Sequence, residues 1–199
     1  MPPTAALGTG CPVAEALVSP LVQIGADPAQ KQQMGKQFPL VLSPAVAGVN
    51  FVALQEYFLA RHDAILKAVS EYGAVMFTGF DVASGSEWAS VLYKSGLKQC
   101  EYIGGAAVRK LVVGSEARMN DVQILTTNES PPESPIPFHH ELAQTPNPPS
   151  HICFYCVAID DEVTFVPAAQ SRMCVCVCVC VCVCAHTHTH THTHTHKCP

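Results

Sequence analysis

The chain has 199 residues, the length of one domain, with 48% apolar residues and a formal net charge of −5. That charge leaves no basic footprint for nucleic acid or an anionic membrane surface. No run of about 18 or more apolar residues suggests a transmembrane helix, so neither nucleic acid nor membrane is expected as a partner.

Residues 1–37 are rich in Ala, Pro and Gln and contain no Arg. They lack a basic segment followed by an apolar one, which argues against a secretory signal. A mobile N-terminal extension over 1–37 and a cytoplasmic location are the expectations. Phe38-Pro39-Leu40-Val41-Leu42 reads as a short strand closed by Ser43-Pro44. Asn50 is placed to cap a helix in which Leu54, Phe58, Ile65, Val69 and Tyr72 recur at helical spacing. Gln55, Glu56, Arg61, His62, Asp63 and Lys67 fall to its polar side, and Gly73 stops it. Residues 74–77 then read as a buried strand. Ser84-x-x-Glu87 is a capping box that opens a second helix through Trp88, Val91 and Leu92, ending near Gly96. Residues 110–113 and 122–127 read as strands, so a mixed α/β domain is expected.

Cys153 and Cys156 have the spacing of half a zinc or redox motif, but they sit in the apolar run Ile152-Cys153-Phe154-Tyr155-Cys156. No second pair at zinc spacing accompanies them outside the tail, so they read as core cysteines on a strand. Of the eleven cysteines, six alternate with Val from Cys174 to Cys184. Six histidines alternate with Thr from His186 to His196. A TG repeat translates as Cys-Val, a CA repeat as His-Thr, and Cys184-Ala185-His186 is their direct junction. A translated dinucleotide repeat accounts for the segment, and its histidines retain incidental metal affinity.

Between residues 128 and 150 seven prolines interrupt any regular period, yet this stretch holds Phe138-His139-His140-Glu141. If the segment is extended, His139 and Glu141 point to one side and His140 to the other. Two such ligands with a distant His compose the facial triad of non-haem iron(II) oxygenases. Spacing alone is a weak signal, more often met in a solvated loop.

The surroundings add to it. Tyr102-Ile103-Gly104-Gly105-Ala106-Ala107, Thr127-Asn128-Glu129-Ser130-Pro131-Pro132, Pro137-Phe138-His139-His140-Glu141-Leu142-Ala143-Gln144 and Phe154-Tyr155-Cys156 stand in order. This series resembles the clavaminate synthase-like branch of the TauD/TfdA (taurine dioxygenase-like) family, from about residue 38 to residue 156. The resemblance implies iron(II)- and 2-oxoglutarate-dependent oxidation of a small organic molecule by O2. On it, His139 and Glu141 match the first two iron ligands and act as catalytic residues. Arg109, Asn128 and Glu129 are candidates for the substrate side, with turn-forming or surface roles as the alternative, and His140 is a candidate for the packing just behind the ligands. After Cys156 the family continues into Gly-Gly-Glu-Thr-Pro, whereas this chain turns to Val157-Ala158-Ile159-Asp160-Asp161 and the resemblance stops.

The domain reading is therefore an extension over 1–37, the N-terminal part of an oxygenase domain over 38–156, and a non-family tail over 157–199. The implied fold is an incomplete double-stranded β-helix (jelly roll) with N-terminal helices and a disordered low-complexity tail. The family's third ligand, a later His, and its 2-oxoglutarate-anchoring Arg are missing, so the chain as written is expected to be inactive. The alternative is a mis-spliced or misannotated product whose His/Cys tail binds metal incidentally.

Overall fold

In the computed structural model, residues 11–27, 30–33, 35–100, 102–103, 109–113, 122–126, 139–156 and 172–177 are described. The first elements are α1 (Pro12–Glu15), β1 (Val22–Ile24), β2 (Lys31–Gln33), β3 (Lys36–Phe38) and β4 (Leu40–Pro44). The helical half follows as α2 (Phe51–Ala60), α3 (His62–Tyr72), β5 (Ala74–Thr78) and α4 (Gly85–Lys94). The later strands are β6 (Leu111–Val113), β7 (Ile124–Leu125), β8 (His151–Tyr155) and β9 (Arg172–Val177).

A five-stranded sheet in the order β1-β4-β5-β9-β8 carries the molecule, with β2-β3 and β6-β7 as separate pairs. β4 and β5 run parallel, Leu40 opposite Val75 and Leu42 opposite Phe77, while the other neighbours in this sheet are antiparallel. A parallel pair needs a long crossover, and α2 and α3 supply it. The mixed α/β class expected from the sequence is present. The described strands do not by themselves build a double-stranded β-helix.

Three features differ from the sequence reading. Within the stretch expected to be a mobile extension, α1 and β1 pack onto the domain: Leu17 and Val22 are fully buried, and β1 pairs with β4. The Tyr57 hydroxyl donates to the Leu17 carbonyl at 2.6 Å, giving that turn a tertiary anchor that composition does not reveal. The helix expected from Asn50 to Gly73 is two helices, broken at Arg61 (φ −117°, ψ 15°). The Arg61 N–H still bonds Tyr57 O, and its carbonyl accepts from the Ile65 N–H, so one residue closes α2 and opens α3. Third, Arg172–Val177 of the repeat tail lies as a strand between β5 and β8, with Val175 opposite both Val75 and Cys153. An alternating Cys-Val segment has the β-branched content and two-residue period that a sheet accepts.

Several local signals stand as expected. Asn50 accepts from the Ala53 N–H at 3.1 Å. Ser84 accepts from the Glu87 N–H at 3.2 Å, and Glu87 reaches back to the Ala83 N–H at 2.7 Å. Gly73 sits at φ +79°, which ends α3 where a β-carbon would be strained. Leu54, Phe58, Ile65, Val69, Phe77 and Trp88 share one core. The Phe58 ring lies 4.8 Å from that of Phe77 and edge-on to Trp88 at 5.9 Å. Burying one such side chain contributes about 1.5–3 kcal/mol. Gln55, expected on a polar face, is instead buried with its amide on the Ser90 hydroxyl, which joins α2 to α4.

Candidate metal centre

The candidate site is assembled from three separate pieces of chain. Pairing of β6 with β7 sets Leu111 opposite Leu125 and Val113 opposite Ile124, with an irregularity between them. The pair is clamped just outside its strands: the Thr126 N–H donates to Lys110 O, and the Lys110 N–H donates to Thr126 Oγ1, both at 2.9 Å. Val113 abuts the start of α4, where a β-carbon on Gly85 would meet it at 3.3 Å. Gln99, just after α4, exchanges two hydrogen bonds with the backbone of Gln123. Arg109 stands two residues before β6, next to Lys110, which the bonds to Thr126 hold.

The third piece is the segment from His139 to Ser150. It turns at Glu141 rather than continuing as the extended strand that the sequence argument assumed. Leu142 takes φ +53° and is buried, and its carbonyl accepts from both Thr145 N–H and Thr145 Oγ1. A branched apolar side chain in left-handed backbone costs energy, and burial of Leu142 offsets it. The Cys100 thiol donates to Asn147 O at 3.7 Å and fastens the turn to the loop after α4. Beyond it, β8 is anchored by Tyr155, whose hydroxyl donates to Val82 O at 3.0 Å and whose ring stacks on Trp88.

Within this frame His139 Nε2 and Glu141 Oε2 stand 3.6 Å apart. The same carboxylate's Oε1 lies 3.8 Å from Arg109 Nη2. The Glu141 and Arg109 side chains keep only 14% and 16% of their exposure, while His139 keeps 40%. Arg109 is further held by Nη1 on Thr126 O (3.3 Å) and Nε on the Tyr102 hydroxyl (3.4 Å), with its guanidinium 5.5 Å from the Tyr102 ring centre. His140, predicted to point away from the ligands, is exposed. Asn128 and Glu129 lie outside the described residues.

The 3.6 Å gap is too long for a hydrogen bond but suits two ligands of one ion. Metal–ligand bonds of about 2.1 Å at right angles separate the donor atoms by about 3.0 Å, so a shift of a few tenths of an ångström closes the pair on a metal. Imidazole and carboxylate are also the donor set that non-haem iron(II) takes. The two residues fit as part of such a centre. Among the described residues, no group of three or more His, Cys, Asp or Glu stands together to complete it.

Sequence reasoning did not single out Tyr102 and Thr126, which fix Arg109. Tyr102 opens the quoted Tyr-x-Gly-Gly motif, but nothing local links it to an arginine seven residues on. His62, read as a surface residue, is half-buried with Nδ1 2.6 Å from Ser95 O. A carbonyl is only an acceptor, so Nδ1 carries the proton there. His151 is held below the ordinary histidine range by burial first and then by the charge of His62. Cys153 packs partly buried against the core, and Cys156 is also half-buried; neither is in a disulfide among the described residues.

No helix among the described residues is long and apolar enough to cross a membrane. No family model matches the chain. A clavaminate synthase-like protein of Arabidopsis thaliana is 39% identical over 140 residues, covering 65% of this chain and 38% of that protein. Identity at that level over such a length reflects common descent, and the chain spans well under half of its relative. Over the matched stretch, this chain is a partial homologue of a clavaminate synthase-like protein.

Proposed function

We propose that the chain carries the N-terminal part of an iron(II)- and 2-oxoglutarate-dependent oxygenase with a double-stranded β-helix fold, acting on a small organic molecule and O2. One observation carries the reading: His139 Nε2 and Glu141 Oε2 face each other at 3.6 Å, in a segment whose neighbours match the family motifs. Bound there, iron(II) would supply the oxidative chemistry.

This chain's own contribution is to hold the ion. His139 offers a neutral nitrogen, and Glu141 offers the anion that offsets part of the metal's charge. The low exposure of Glu141 keeps water from competing for its oxygens. Asn128, Glu129 and His140 belong to the substrate side or to the packing behind the ligands. The remaining His ligand and the arginine that anchors 2-oxoglutarate are expected from the part of the relative that this chain does not span. The test is a version extended to the relative's length, which should consume 2-oxoglutarate only with iron(II). Extended protein that holds no iron(II), or turns over without it, overturns the reading.

A second reading has its own observation, the six alternating histidines of the tail. These capture divalent metal whatever the domain does. On this reading the product arises from mis-splicing, with residues 157–199 as translated intron. Sequencing the mature transcript across the codons for Tyr155 to Met173 tests this splicing account, while iron-dependent 2-oxoglutarate turnover separates the oxygenase reading from it. A dominant message that leaves this sequence near Cys156 and continues into Gly-Gly-Glu-Thr-like coding sequence supports the splicing account. A dominant message that contains the repeat overturns it.

A further inference from the structure

Resting on the metal-centre reading, we propose that Arg109 is a positioning residue for Glu141, holding Oε1 so that Oε2 alone is presented to the metal beside His139 Nε2. The two carboxylate oxygens face different partners: Oε1 lies 3.8 Å from Arg109 Nη2, and Oε2 lies 3.6 Å from His139 Nε2. A carboxylate free at both oxygens can chelate a metal through both and occupy two coordination positions. One whose second oxygen faces a guanidinium binds through the first and leaves a position open. Arginine suits this task because it stays charged at every working pH and presents a rigid fork of donors.

Arg109 is not free to follow the metal itself. Its Nη1 is on Thr126 O, its Nε is on the Tyr102 hydroxyl, and the Tyr102 ring lies beside its guanidinium. Thr126 is in turn tied to Lys110 by two hydrogen bonds. The cation is therefore built into the β6-β7 unit, and Glu141, arriving on another segment, is oriented against it. Groups behind a metal ligand commonly act in this way, and their loss costs about 10- to 100-fold in metal affinity.

The experiment uses the full chain with the six histidines from His186 to His196 changed to Asn and the seven tail cysteines (Cys174, Cys176, Cys178, Cys180, Cys182, Cys184 and Cys198) changed to Ala, so that the tail does not compete. Cobalt(II) serves as the probe, with affinity read from visible absorption and binding mode from the infrared separation of the two carboxylate stretches. The parent should bind one cobalt(II) with the wide separation of a carboxylate bound through one oxygen. Arg109→Met should weaken binding at least about tenfold and narrow the separation toward two-oxygen chelation. Arg109→Lys, which keeps the charge but not the fork, should fall between them. A purely structural ion pair would leave the infrared mode unchanged. The near-UV dichroism of Trp88 reports whether each variant folds, and if Arg109→Met does not, Arg109→Lys decides by the same criteria. Equal affinity and equal separation in parent and variant overturn the role of Arg109 while the metal reading stands. A parent that binds no more cobalt(II) than its Glu141→Gln variant overturns the metal reading and this role with it.

Discussion

Glu141 and His139 meet across a turn, and single substitutions separate their roles from that of the histidine between them. In a version extended to the relative's length, His139→Ala should abolish succinate formation. Glu141→Gln should nearly do so, because a neutral amide does not offset the metal's charge. His140→Ala should cost much less, since it is His139 that stands beside Glu141. A dead His140→Ala beside an active His139→Ala would place the ligand register one residue off. A second residue-scale expectation concerns pH. His151 has its folded pKa pushed below the ordinary value of about 6.5, by burial and then by His62, while Ser150 Oγ sits 2.9 Å from its Nδ1. The unfolded chain therefore binds the proton more readily than the folded one. The resulting stability is fully present above about pH 6.5 and is lost as pH falls through the lowered folded pKa. Thermal melts from pH 7.5 to 5 should fall less steeply for His151→Gln than for the parent; parallel curves would remove His151 from the account.

Between elements, the contact that ties the first turn to the helical layer is the hydrogen bond from Tyr57 to Leu17 O. Burial pushes the Tyr57 hydroxyl well above the usual tyrosine range, so it stays a donor throughout the working pH range. Tyr57→Phe leaves the Leu17 carbonyl unsatisfied and should cost about 1–3 kcal/mol in denaturant unfolding. The same change at Tyr93, whose side chain is 65% exposed, should be close to neutral. Equal effects at the two sites would mean that the Tyr57–Leu17 hydrogen bond contributes nothing to stability. None of this anchoring was legible beforehand, because Leu17 and Tyr57 are forty residues apart. The cap at Ser84 was legible, because its partners lie within four residues of it.

For the molecule as a whole, β9 occupies the place between β5 and β8, so it joins β8 to the sheet and covers the edge of β5 opposite β4. Removing it opens two facing edges, a known route to aggregation. Two truncations separate the strand from the tail. Ending the chain after Val177 keeps β9 and should leave the melting temperature nearly unchanged while abolishing retention on a nickel column. Ending it after Arg172 should abolish retention as well, and also lower the melting temperature and raise light scattering. Unchanged column retention in either truncation would show that the tail histidines are not the metal-binding element. Equal melting temperatures would show that β9 does not hold the sheet.

Residue order alone encodes what is written within a few residues or in a motif. The caps at Asn50 and Ser84, the stop at Gly73 and the buried strand at residues 74–77 follow from neighbours that the backbone brings together locally. His139 and Glu141 were legible as a pair because they are two residues apart inside a motif series. That α1 and β1 join the core, that Arg61 breaks the long helix, and that a Cys-Val repeat serves as a strand were set by the folded chain. It also brought Tyr102, Arg109, Thr126 and Glu141 together. Each of these outcomes depends on contacts distant in sequence, whose energy comes from closing a core or satisfying a buried polar group. Such contacts leave no periodic trace in the chain that makes them.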